Sequence, residues 1–146
     1  MKTFHGRPIV PGSCQAPAVV TTHGFNTLAS FQKALMFGDD KAHCSDQNNP
    51  DLYQKEMAGK ALCLPQTIGS TTGGMVLYTA CEMGRQPACL LFSMPIDSLA
   101  AAGAILAGVW SAQKMPTVDS LGEEFLAAVH DGMQVTVSED GTVTVE

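Results

Sequence analysis

The residues whose types and spacing could do chemistry lie in one stretch, Gly69-Ser70-Thr71-Thr72-Gly73-Gly74. It falls between an apolar run stopped by Pro65 and the apolar, helix-spaced residues Met75, Leu77, Tyr78 and Cys81. A loop in that place feeds a helix N-terminus, whose first backbone N–H groups have no partner inside the helix, and its glycines let a ligand or a second backbone come close. Such a loop is a ready anion site. Ser70 is the natural N-cap, so from the residues alone it either caps the helix or does chemistry there. Neither G-x-G-x-x-G nor G-x-x-x-x-G-K-[ST] is present, no lysine following Gly74, and nucleotide binding has little support.

The other reactive side chains are scattered. Cys14, Cys44, Cys63, Cys81 and Cys89 are odd in number and form no C-x-x-C pair, and three of them sit in apolar runs, so they read as reduced, buried core residues. No pair among His5, His23, His43 and His130 has the i, i+4 spacing of a helical metal site, and each reads as a surface or locally satisfied imidazole. No metal site is expected within the chain. Asp46, beside Gln-Asn-Asn-Pro, reads as a turn-stabilising carboxylate, with contact to a ligand as its other reading. Arg85 falls at the end of the helix behind the loop, where it complements the helix dipole.

The elements that must position the loop follow from periodicity and punctuation. The opening FHGRPIVPG and APAVV predict two short strands split at Pro11-Gly12, and residues 21–57 read as turn-rich around an undecided apolar piece, Phe31 to Phe37. KALCLP then reads as a strand, the stretch from Met75 as a helix ended at Gly84, and ACLLFS as a buried strand. The unit is β-loop-α-β. Asp97 caps an alanine-rich helix, SLAAAGAILAGVW, apolar almost all round, with Gly103 and Gly108 permitting close approach. A short strand at Pro116 to Asp119, a helix ending at Gly132 and a hairpin turning at Asp140-Gly141 complete the chain. In the hairpin Val135, Val137, Val143 and Val145 share one face.

The chain has 146 residues, which is one domain rather than two. Charged residues make up 15%, against roughly 25% in typical domains, and hydrophobic ones 45%, so a packed core is expected and part of the apolar surface is available to a partner. A net charge of −6 has the wrong sign for nucleic acid or an anionic membrane surface. The most apolar segment, Leu99 to Trp110, is too short to span a bilayer, and the N-terminus has no signal-peptide core; a cytoplasmic protein is expected.

The order GRPIVPG, LYQKEMAGKALCLP, GSTTGG, QPACLLF, IDSLAAAGAILAG and DGTVTV resembles the small subunit, or swivel domain, of the aconitase X family over nearly the whole chain. The resemblance implies an α/β fold, a swivelling β/β/α domain with a compact barrel-like sheet and flanking helices. It also implies a hydro-lyase (dehydratase) subunit, inactive without a large catalytic subunit that holds an iron-sulfur cluster. By motif position Ser70 would be the base, with Gly69, Thr71, Thr72 and Gly73 around the substrate. The family's Ser-Phe-Trp-Gly-Gly and His-Pro-Leu-Tyr-Gly segments are replaced by Ser30-Phe31-Gln32 and Asn49-Pro50-Asp51-Leu52-Tyr53. Without the archaeal-type His-Pro segment, the expected substrate is a small hydroxy acid, cis-3-hydroxy-L-proline ahead of mevalonate 5-phosphate. A non-catalytic anion-binding or regulatory module of the same fold is the competing reading.

Overall fold

The computed structural model describes residues 1–69 and 71–146. Strands β1 (Lys2–His5), β2 (Arg7–Val10) and β3 (Cys14–Val20) open the chain, followed by β4 (Phe25–Asn26) and helix α1 (Thr27–Phe37). After a long connection come β5 (Ala61–Leu64), β6 (Thr67–Ile68), α2 (Gly73–Glu82), β7 (Cys89–Phe92) and α3 (Ser98–Trp110). The last elements are β8 (Thr117–Asp119), α4 (Glu123–Ala128), β9 (Gln134–Val137) and β10 (Thr142–Val145).

Eight of the strands form one sheet in the order β1-β10-β9-β3-β5-β7-β8-β2, and β4 pairs with β6 separately. β1 and β2 are the two edges of that sheet, yet only Gly6 separates them in sequence. The chain therefore ties one edge to the other and the sheet nearly closes into a barrel. Gly6 donates its N–H to the Gly141 carbonyl at 3.0 Å, and a Cβ on Gly6 would lie 2.5 Å from the Asp119 carbonyl oxygen. Nothing larger than glycine fits this seam.

Two cores follow from strand alternation. β5 and β7 are buried at every position, as expected of parallel strands covered on both faces. Cys63, Leu91, Val135 and Val143 share one cluster with Phe125 of α4, which plugs the barrel and meets Phe4 edge to face at 5.4 Å. Leu62, Leu64, Leu90 and Phe92 face the other way, into a cluster with Phe31 of α1 and Leu77 of α2. All five cysteines are free thiols, four buried and Cys14 half-buried.

The elements differ from the sequence expectation in four places, the first being the short β4–β6 pair in segments expected to be loop. The opening contains three strands rather than two, because the break at Gly6 sends the chain to the far edge of the sheet. The undecided apolar piece is a helix, capped by the Asn26 side chain accepting the Ala29 N–H and ended at Gly38 with φ 72°. α4 stops at Ala128 instead of Gly132. Val129 turns to extended backbone and buries its side chain, and Asp131 accepts the Val20 N–H at 2.8 Å, tying the segment to β3. The closing hairpin has all four valines buried, and Gly141 turns it with φ 90°.

Candidate active site

β3, β5, β7 and β8 run parallel, so their C-terminal ends share one edge, where ligands of open parallel sheets bind. The loops that follow β5 and β7 lead along this edge to the starts of α2 and α3. A cavity of about 230 Å³ opens there. Thr27 at the start of α1, Gly73 and Gly74 at the start of α2, and Leu99 and Ala100 at the start of α3 all line it. Three helix N-termini therefore point their positive dipole ends at one space.

Close packing makes this convergence possible. A Cβ on Gly74 would lie 2.2 Å from the Leu99 carbonyl oxygen, and one on Gly103 2.1 Å from that of Gly74. The first turn of α2 thus rests on the backbone of α3, as the glycines of the alanine-rich helix led one to expect; Gly108, by contrast, meets only the Val10 side chain. Two of the three helix starts are occupied by their own caps. Asn26 accepts the Ala29 N–H at 3.1 Å, and Asp97 accepts the Ala100 N–H at 2.9 Å while also holding the Thr67 hydroxyl. At α2 the N-cap residue is Thr72, whose side chain makes no capping bond.

The residues singled out in the sequence are distributed as follows. Gly69 has φ 96° and sits against the Asn26 amide, which a Cβ would approach to 2.6 Å. Gly73 is the first residue of α2 and lines the cavity, and Thr71 and Thr72 are exposed beside it. Ser70 lies outside the described residues. Among the described residues Thr72 directly precedes α2, which begins at Gly73. Asp46 is buried in its own turn, accepting the Asn48 N–H at 3.0 Å, and does not line the cavity. Arg85 is at the opposite end of α2, where it donates to Asp40 at 3.1 Å.

Sequence reasoning missed Thr67 and Thr27 as cavity residues. The clue available was the run Asn26-Thr27, a capping residue directly before an apolar stretch. It also missed a polar cluster at the end of β3, built from Thr21, His23, Asn49 and Asp51.

The cysteines do not fit a metal cluster. Burial pushes the Cys63 thiol far up and the Cys81 thiol up to about 11, so both stay protonated rather than becoming thiolate ligands. Among the described residues no three His, Cys, Asp or Glu side chains are grouped to hold a metal ion. No helix is long and apolar enough to cross a membrane among the described residues.

Comparison with known proteins places this geometry in context. Residues 3–145 match the family described as the aconitase X swivel domain. The chain is 30% identical over 142 residues to the phosphomevalonate dehydratase small subunit of Aeropyrum pernix, covering 97% of this chain and 92% of that one. It is 29% identical over 140 residues to the protein of the same name from Methanocella arvoryzae, covering 96% and 94%. The crystal structure of Thermococcus kodakaraensis aconitase X in its holo-form superposes with a TM-score of 0.82 at 24% identity, covering 100% of this chain and 99% of that one. The solution NMR structure of a UPF0107 protein superposes with a TM-score of 0.79 at 25% identity, covering 99% of each.

Proposed function

The chain belongs to the aconitase X swivel-domain family, and from that premise we propose that it acts as the small subunit of a dehydratase whose active site a large subunit completes. One observation carries this reading: relatives named as dehydratase small subunits match over nearly the full length of both chains. The cavity at the helix starts supports it, since three helix N-termini line one concave space beside the glycine-rich loop.

Loss of water from a hydroxy acid needs a base that takes a proton from carbon while the C–O bond of the neighbouring hydroxyl breaks. We assign the base to Ser70. A serine hydroxyl is a poor base unless its alkoxide is stabilised, and the α2 N-terminus supplies backbone N–H donors beside it in the sequence. Gly69, Thr71, Thr72 and Gly73 form the anion-binding shell, with glycine at position 73 keeping the floor of the cavity open. The iron-sulfur cluster implied by the family resemblance is assigned to the large subunit, because the described residues of this chain bring no three His, Cys, Asp or Glu side chains together to hold a metal.

For the substrate, the names of the relatives favour mevalonate 5-phosphate. The second reading, cis-3-hydroxy-L-proline, rests on Asn49-Pro50 standing where the archaeal-type His-Pro segment is expected. Co-expression with a large aconitase X subunit tests the whole reading. A coloured heteromer that dehydrates one of the two acids is expected, and the preferred acid names the substrate. A chain that stays monomeric and colourless with every candidate large subunit overturns the reading in favour of a non-catalytic module.

A further inference from the structure

The glycine-rich loop begins at Gly69, directly after β6, and one side chain is packed against that point. Gly69 has φ 96°, in the left-handed region, and a Cβ on it would lie 2.6 Å from Asn26 Nδ2, 2.8 Å from Cγ and 2.9 Å from Oδ1. The carboxamide of Asn26 therefore occupies the place that a side chain at position 69 would need. Its orientation is set from the other end. Oδ1 accepts the Ala29 N–H at 3.1 Å in capping α1. Only the oxygen of a carboxamide accepts, so Nδ2 is the remaining arm, and it is the atom nearest to the place of a Cβ on Gly69.

The two-stranded ribbon holds this contact in register. Asn26 pairs with Ile68, and the Phe25 N–H donates to the Gln66 carbonyl at 2.8 Å. Phe25 is fully buried and meets Phe31 of α1 edge to face at 6.1 Å, and a Cβ on Gly24 would lie 2.7 Å from Ile68 Cγ2. Ile68 and Gly69 on one side of the ribbon, and Thr27 directly after Asn26 on the other, line the cavity. Asn26 is itself half-buried and touches this lining rather than forming it. The cap of α3 is used in the same double way. Asp97 accepts the Ala100 N–H with Oδ2 and the Thr67 hydroxyl with Oδ1, so both caps tie a helix start to the strand that feeds the loop.

We propose that Asn26 is a positioning residue for the dehydration: its carboxamide sets where the glycine-rich loop turns away from β6, and through Gly69 it sets where the base next in sequence stands against the substrate. The inference rests on the dehydratase reading above. Asn26 does not touch substrate. Its leverage comes from geometry, because a misplacement of about 1 Å at a reacting group costs about 10²-fold in rate. Positions 26 and 69 act as one unit. The carboxamide has room only because residue 69 carries no Cβ, and a glycine, the residue with the most backbone freedom to lose, keeps one conformation because the carboxamide packs on it.

The test uses the heteromer with its large subunit and compares wild type with Asn26→Ser, Asn26→Asp, Gly69→Ala and the double variant Asn26→Ser, Gly69→Ala. Serine and aspartate cap a helix as well as asparagine does, so both single variants at 26 should assemble and melt near the wild-type temperature. Asn26→Ser withdraws the carboxamide from Gly69 and should lower kcat by about 10- to 10²-fold. Asn26→Asp keeps the shape but sets a carboxylate beside the loop, which favours the protonated base, so the rise of kcat with pH should move to higher pH. A residue that only capped α1 would leave that profile where it is. Gly69→Ala should lower kcat by itself, and the double variant should be no slower than Gly69→Ala, since both changes break one contact. Should Asn26→Ser fail to assemble, the pH profile of the isosteric Asn26→Asp decides alone. An active wild-type heteromer whose Asn26→Ser variant keeps full turnover overturns this inference alone, as does an unmoved profile in Asn26→Asp or losses at 26 and 69 that multiply. A wild-type heteromer with no dehydratase activity overturns the dehydratase reading and this inference with it.

Discussion

Removing one oxygen atom at position 70 separates two roles that the residue type alone leaves open. If Ser70 only caps the helix behind it, Ser70→Ala costs about 0.5–2 kcal/mol of stability and leaves turnover of the assembled heteromer intact. If Ser70 is the base, turnover of the heteromer falls by about 10² to 10⁴-fold. Retention of more than about a tenth of wild-type turnover sinks the assignment. Gly73 offers the complementary probe. A Cβ there meets Thr27 at 3.5 Å, an ordinary contact, whereas one at Gly74 would strike the α3 backbone. Gly73→Val should therefore fold and assemble, yet fill the cavity and lower kcat/KM by about 10²-fold. Unchanged steady-state kinetics would remove the loop from the site.

Among the elements, α3 bears no charged side chain and still divides into two faces. Ala100, Gly103, Ala104 and Ala107 are buried, while Ile105, Val109 and Trp110 stand exposed, the last two at 69% and 70%. The sequence treats Ala102 and Ala107 alike, as positions on a helix that a partner covers. Packing on α2 through Gly103 and Gly74 makes them different. Ala107→Glu would bury an unpaired charge and should unfold the chain. Ala102→Glu, on the exposed face, should leave the melting temperature unchanged and weaken heteromer association by about tenfold, which is about 1.4 kcal/mol. A binding titration that shows equal affinity for wild type and Ala102→Glu places the interface elsewhere.

For the whole molecule, the long connections between strands are fastened by carboxylates. Asp119 accepts from Arg7 at 2.6 Å and from the Ile96 N–H at 2.8 Å, linking the edge strand β2 to β8 and to the loop before α3. Asp51 does the same for the end of β3. For each, burial opposes ionisation but hydrogen bonds prevail, and the carboxyl is held below its ordinary value of 3.8. The folded chain then binds fewer protons than the unfolded chain in the interval from about 4 down to about 2, so stability is complete above that interval and lost within it as pH falls. Thermal melts should be flat above about pH 5 and drop steeply below about pH 4, and Asp51→Asn should make the drop shallower. A melting temperature that rises on acidification contradicts this account.

Local chemistry alone determined the glycine-rich loop, the Asp97 cap, the fully apolar strands β5 and β7 and the valine hairpin, because each is set by neighbours within a few residues. The motif order carried the family in the same way. What only the tertiary structure decided were contacts between segments far apart in sequence. Gly6 reads as a turn residue until β1 and β2 are seen on opposite edges of the sheet, pressed against Asp119 and Gly141. The helix at 27–37 was ambiguous because its apolar stripe is short, and it is stabilised by packing on α2 rather than by propensity. His23 reads as one more surface imidazole because its partner, Asp51, is 28 residues away across a turn-rich segment whose path no periodicity foretells. The cavity itself exists only where three helix starts meet, which the backbone crossing at Gly74 and Gly103 makes possible.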